Sequence, residues 1–380
     1  MKKYITWCMC GLMAGSLSLT GCKDDDNLSP STPDSNSNRT PMSFTADVEG
    51  TRSSIYIEEN SEINGVVWMY VWTDSTELFH GYATCTDGNL ELNGECNWPD
   101  DIEDTVYVTA LYDNYHTIED SSPFAFSISL DTTDYDFVVP NILPINMTFY
   151  ENMSKDVLIA HNKLTRDKSD LGTVPLTFRH ITAMVQFNAM GLDETYDYYI
   201  KNIYLYPAQQ GVYSTEGISD TIGSWISYSE YITKLEEVMK DSLGERKYTN
   251  WLTEYGSLEN ALEYYGETGT INIFENYEDV IAVSTTMTQL TDTMDNGGIL
   301  PIQLFTIPGE CKIEIEYSIW SKDTTYMDNV MVITPAEEIE TVTRTGTINL
   351  TGNTVNQVLL YLNAYELFVA GEGNDNLLPE

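Results

Sequence analysis

Val66-Val67-Trp68-Met69-Tyr70-Val71-Trp72 is an unbroken run of apolar and aromatic residues. Runs of this length, rich in β-branched and aromatic side chains, suit a pleated sheet better than a helix, and this one reads as a strong buried strand. Upstream, Phe44, Ala46 and Val48 alternate with polar Ser43, Thr45, Asp47 and Glu49, the pattern of a half-buried strand. Gly50-Thr51-Arg52-Ser53-Ser54 interrupts it, and Ile55-Tyr56-Ile57 resumes. Downstream, strand-like runs recur at 78–84, 106–112, 124–130 and 135–139, many of them separated by Asp-Gly, Asn-Gly or Asp-Asn turns. No sustained helical period precedes residue 220, so the first half is a sandwich or barrel and not an α/β fold.

The stretch 164–173, with Arg166, Asp167, Lys168 and Gly172, is the best linker. Beyond it, 174–187 reads as two alternating runs meeting at Arg179-His180, and 200–206 as another strand. The texture changes between Trp225 and Tyr265. Ile232, Leu235, Val238, Met239 and Leu243 recur at helical steps that Gly244 can end, and Trp251, Leu252, Tyr255, Leu258 and Leu262 mark a second helix. These stripes read as core contacts against a sheet, with a partner-binding cap as the other reading. Strand patterning returns at 271–274, 280–287, 300–305, 312–320, 329–334, 345–350 and 355–369. Within 312–320, Ile313, Ile315, Tyr317 and Ile319 share one face. The expected architecture is mainly β: a β-sandwich over 42–168 and a second over 169–380, the latter carrying a helical insertion at about 224–266.

Charge narrows the functional classes. The chain has 18 basic and 59 acidic residues, a net charge of −41. Such a field repels nucleic acid and anionic lipid surfaces, so a nucleic-acid partner is excluded. At the N-terminus, Lys2 and Lys3 precede a mostly apolar segment from Tyr4 to Leu19, too short to cross a membrane comfortably. Leu19-Thr20-Gly21-Cys22 follows, then Lys23-Asp24-Asp25-Asp26. This resembles a lipoprotein signal, which implies that residues 1–21 are removed and that Cys22 carries lipid as the new N-terminus. Residues 22–41, dominated by Asp, Asn, Ser, Pro and Thr, read as a disordered tether.

Of six cysteines, Cys8 and Cys10 leave with the signal, which leaves Cys85, Cys96 and Cys311 besides Cys22. With Asp87-Gly88 as a tight hairpin turn, Cys85 faces Leu90 and Cys96 faces Phe79, so buried free thiols are expected over a Cys85–Cys96 bridge. His80, His116, His161 and His180 are scattered, and no nucleophile elbow, phosphate loop or paired-cysteine zinc spacing occurs. The acidic loops at 100–104 and 292–296 match no complete calcium pattern and read as solvated. Trp68, Trp72 and Trp98 would serve a glycan ligand if exposed, but most aromatics on alternating strands belong to cores. No enzyme, cofactor or metal site is expected.

Four stretches together resemble the fimbrillin-like proteins of Bacteroidales, which build type V pili. They are the lipobox with its acidic tail, Met42 to Ser53 ending its strand in Thr51-Arg52, Leu176-Thr177-Phe178-Arg179-His180 through Phe187, and 349–369 with Leu359-Leu360-Tyr361-Leu362-Asn363. The resemblance implies two transthyretin-like β-sandwich domains and a surface-exposed lipoprotein of the cell outer membrane that enters a fimbrium after processing. Its partners would be other pilin subunits, with a host protein or glycan as a candidate ligand. It implies cleavage by an arginine-directed protease between Arg52 and Ser53, with Arg39 as the rival site, and departure of the strand carrying Phe44, Ala46 and Val48. A neighbour's strand would fill the vacated groove, donated from 345–369 with Val355, Val358, Leu360 and Leu362 as anchors. The helical insertion departs from a minimal stalk subunit and points to a tip or accessory member. Two other readings remain: an uncleaved pilus anchor, and a tethered lipoprotein binding glycan.

Overall fold

The computed structural model describes residues 40–48, 63–99, 104–113, 122–130, 133–139, 141–146, 156–165, 172–208, 210–215, 223–258, 271–272, 281–293, 299–327, 330–363 and 367–371. In chain order the strands of the first part are β1 (Phe44–Val48), β2 (Gly65–Thr73), β3 (Glu77–Thr86), β4 (Asn89–Leu92), β5 (Thr105–Tyr112), β6 (Ala125–Leu130), β7 (Thr133–Val138), β8 (Ile142–Asn146), β9 (Leu158–Thr165) and β10 (Val174–His180). There follow β11 (Ala183–Gly191), β12 (Tyr196–Tyr206), β13 (Gln210–Ser214), β14 (Ser224–Ile226) and the helices α1 (Tyr228–Leu243) and α2 (Glu245–Tyr255). Short strands β15 (Ile271–Asn272), β16 (Ile281–Val283), β17 (Thr288–Gln289), β18 (Thr291–Thr293), β19 (Ile299–Pro301) and β20 (Gln303–Thr306) lead to β21 (Gly309–Met327), β22 (Val330–Leu350), β23 (Val355–Leu362) and β24 (Leu367–Gly371). The fold is mainly β.

The run 66–72 lies in β2, which pairs antiparallel with both β3 and β5. Its side chains alternate between two cores: Val67, Met69 and Val71 enter one, and Trp68, Tyr70 and Trp72 the other. Neither face meets water, which is why no polar residue interrupts the run. The first core is the interior of a closed barrel with strand order β1-β10-β9-β5-β2-β3-β4, where β4 returns to β1. The sandwich expected for the first half is therefore a barrel, closed because β1 pairs on both of its edges. Its strand β10 comes from beyond the 164–173 stretch.

Asp87 and Gly88 have φ of 48° and 74°, the left-handed pair that a two-residue hairpin turn needs. Cys85 accordingly registers with Leu90. Cys96 does not reach the position opposite Phe79 expected from extending that hairpin. The ladder of β3 and β4 ends at Leu92, and the chain then turns to pair with residues 40–42. Cys96 thus lies against Met42, its Sγ 3.7 Å from the Met42 Sδ. Cys85, Cys96 and Cys311 are buried free thiols.

The second core is enclosed by two sheets. One runs β17-β11-β23-β24 with β20 also on β11, and the other runs β15-β12-β21-β22 with β16 also on β12. Val185 and Phe187, Ile203 and Leu205, Ile313, Ile315 and Tyr317, and Val358 and Leu360 all point into it. A bulge in β12 between Ile200 and Asn202 shifts the inward parity from Tyr198 and Ile200 to Ile203 and Leu205.

The helices form a third layer. Ser227 caps α1, its Oγ accepting from the Glu230 N–H at 3.3 Å, and Gly244 at φ 75° ends it. Leu235, Met239, Tyr248 and Trp251 pack on Phe137, Ile142 and Val212. Ile142 and Val212 belong to the sheet β14-β13-β8, whose opposite face sends Leu143 and Tyr213 into the second core. The helical stripe is a core contact against a sheet.

Candidate functional site

The strand that closes the barrel is its shortest but one. β1 runs parallel to β10 over Phe44–Val48 against Val174–Phe178. On its other edge only Phe44–Leu90 and Thr45–Asn89 register with β4, extended by the Ala46 N–H donating to the Gly88 carbonyl at 2.8 Å. The approach of β1 here is close, since a Cβ on Gly88 would lie 3.2 Å from the Ala46 carbonyl oxygen. The lead-in adds Met42 N–H to the Cys96 carbonyl and Trp98 N–H to the Thr40 carbonyl. Met42 and Phe44 are buried in the barrel core, and Ala46 and Val48 pack against it half-buried. Fully burying side chains the size of Phe and Met stabilises by about 1.5–3 kcal/mol each. Two such anchors on a short segment hold it firmly while leaving little else to break.

Where β1 ends, a cleft of about 310 Å³ opens between Ala46, Asp47 and Val48 on one side and Ile63, Asn64, Asp87 and Gly88 on the other. It lies beside Val48, the last described residue of β1. Arg52 and Ser53 lie outside the described residues, as do Cys22 and Arg39.

The four residues read as donor anchors lie on β23, away from the barrel core. Val358, Leu360 and Leu362 are buried in the second core, and Val355 packs against it. β23 is flanked by β11 and β24, so as it stands both of its edges are occupied. The structure thus keeps the closing strand and the proposed donor on different cores.

The three tryptophans read as potential sugar platforms are not exposed. Trp98 belongs to the barrel core, and Trp68 and Trp72 to the second core. Trp68 and Trp72 both lie on β2, which has no wet face to present a ring. Of the acidic loops, only Asp104, Asp292 and Thr293 are among the described residues.

A polar cluster at the end of β10 escaped notice in the sequence. Asp156 is 5% exposed, His180 1% and Thr182 0%. The His180 ring meets Asp156 Oδ2 through Nδ1, while Thr182 Oγ1 and the Val157 N–H both donate to Asp156 Oδ1. One signal was available: Val174, Leu176 and Phe178 point inward, and the same parity puts His180 inside. His161 is a different case. Its Nδ1 lies 3.0 Å from Thr109 Oγ1, and burial pushes its pKa down to about 4. Burial likewise raises the Cys96 thiol to about 12 and Cys311 to about 11, which keeps both protonated and inert.

No family model matches the chain, and no curated protein matches it. Similar chain paths occur among solved structures from Bacteroidales. A proposed cell adhesion protein of Bacteroides ovatus is 10% identical, with 88% of this chain and 96% of that one covered at a TM-score of 0.40. A fimbrial assembly protein of Parabacteroides distasonis is 9% identical, with 90% and 97% covered at 0.39. A proposed polysaccharide-binding protein of Bacteroides thetaiotaomicron is 10% identical, with 90% and 99% covered at 0.36. At TM-scores below 0.5 these superpositions carry no weight for role.

Proposed function

We propose that this chain is a non-enzymatic, adhesion-related surface subunit of a fimbrillin-like pilus, assembled by strand exchange. In this reading it is exported to the outer membrane as a lipoprotein held by Cys22. Cleavage between Arg52 and Ser53 then frees the segment that carries β1. The supporting observation is the seam: the first described strand closes a barrel, with two registered pairs on its β4 side. Its loss would leave two unpaired strand edges, β10 and β4, beside the apolar space vacated by Met42, Phe44, Ala46 and Val48. An open edge next to an apolar groove is a template for a strand supplied by another chain. The partner is another pilin subunit, whose donor strand matches 345–369 of this chain, with Val355, Val358, Leu360 and Leu362 as anchors. The helical layer of α1 and α2 favours a tip or accessory position over the stalk. No cofactor enters this scheme.

The seam can be locked. Thr45 and Asn89 are directly registered partners. Replacing both with cysteine (T45C and N89C) and oxidising the pair would tie β1 to β4. The locked protein should fold and reach the surface yet fail to enter fibres, and a reductant should restore entry. Fibres that contain the locked chain would contradict the proposal.

A further inference from the structure

We infer that the buried Asp156–His180–Thr182 cluster is a latch that keeps β10 in place as one wall of the β1 groove, an inference that rests on the strand-exchange reading above. β10 is held differently at its two ends. All five residues Val174–Phe178 register with β1, whereas β9 registers with Arg179 and His180 alone. The other tie described between β9 and the first part of β10 is Asn162 Nδ2 donating to the Pro175 carbonyl at 3.0 Å. When β1 departs, the long ladder goes with it, and β10 keeps the core packing of Val174, Leu176 and Phe178 and the backbone and polar ties at its C-terminal end.

That end is anchored with no help from β1. Three donors converge on the Asp156 carboxylate: His180 Nδ1, Thr182 Oγ1 and, at 2.8 Å, the Val157 N–H. A buried carboxylate is costly unless donors satisfy it, and a satisfied one holds them in a single geometry. The corner just past β10 is tied to three further places. Ile181 N–H donates to the Val157 carbonyl at 3.1 Å, Trp225 Nε1 donates to the Ile181 carbonyl at 3.1 Å, and Asn353 N–H donates to the Thr182 carbonyl at 2.9 Å. Residues 180–182 are therefore fixed to the start of β9, to β14 and to the turn before β23. His180 Nε2 has no partner among the described residues, so the Asp156 link is the ring's polar tie. An apolar side chain would fill the same space but would not fix the direction in which β10 leaves the corner.

The test uses the full chain with a site-specific protease sequence replacing residues 50–55, in the wild-type background and in T182V and H180Q. After cutting, a labelled peptide of residues 41–49 is added to displace the native segment. The wild-type chain should exchange the peptide. The cut variants should bind it about tenfold or more weakly, the scale of one lost bond to a charged group. Val174–Phe178 should also lose amide-exchange protection in the cut variants, while the uncut ones retain it. Equal peptide binding by wild type and variants would overturn the latch and leave strand exchange standing. Equal loss of stability in cut and uncut variants would likewise overturn it, since that is what a merely structural core network gives. If the wild-type chain cannot exchange the peptide, the strand-exchange reading fails and the latch falls with it. T182V removes one hydrogen bond and carries the test should H180Q not fold.

Discussion

At the scale of single residues, burial decides which polar groups matter. His161 sits on the outer side of the barrel, and its imidazole is held neutral by desolvation, with a folded pKa of about 4 against 6.5. Above pH 6.5 neither the folded nor the unfolded chain protonates it, so it has no effect on stability. Between pH 6.5 and 4 the unfolded chain takes up the proton and the folded chain does not, so stability falls with pH across that window. Below about 4 both forms are protonated and its contribution levels off. H161Q should flatten the loss between pH 6.5 and 4 in denaturant titrations, leaving the carboxylates' share of the acid slope. An unchanged slope would show that His161 is solvated. His180 is fully buried where His161 is only partly so, and its environment could not be read locally, because its partner Asp156 precedes a different strand. Strand parity shows that a residue points inward but not what it meets.

At the scale of elements, alternation was legible wherever a strand has one wet face. The inward set of Ile313, Ile315, Tyr317 and Ile319 follows directly from the pattern. So do Phe44 and, half-buried beside it, Ala46 and Val48. α1 was legible from its three- and four-residue steps and from Gly244 at its end, whereas α2 begins at Glu245, ahead of the expected stripe, and ends at its Gly256 cap, short of Leu258. Two features hid the rest. The bulge at Ile200/Asn202 shifts parity within one strand, and the departure of the chain after Leu92 moves Cys96 away from Phe79. Neither leaves a local mark. Barrel closure was also illegible, because β1 and β10 are far apart in sequence and nothing local encodes parallel pairing between them. The weight carried by β1 is testable through its one fully buried strand residue. F44A should cost about 3–5 kcal/mol, the usual range for truncating a buried phenylalanine. Amide exchange should rise first in β10 and β4, the two strands that β1 joins. A cost below about 1 kcal/mol, or uniform loosening of the fold, would mean that β1 is not what closes the barrel.

At the scale of the whole molecule, the two cores divide the labour. The barrel is closed by β1, the first described strand and the one that the proposed exchange would remove, while the second core shields its strands between two sheets. β2 joins them by feeding alternate side chains to each, so under the proposed exchange the barrel would stay braced from outside. The net charge of −41 opposes the approach of like subunits, so any strand insertion must gain enough from apolar burial and backbone pairing to exceed that repulsion. The N-terminus of the protein taken from the cell surface tests the central claim most directly. Material recovered from fibres should begin at Ser53, with β1 gone and the barrel closed by a strand from another chain. Fibre material that begins at a lipid-bearing Cys22 and retains β1 would contradict the account.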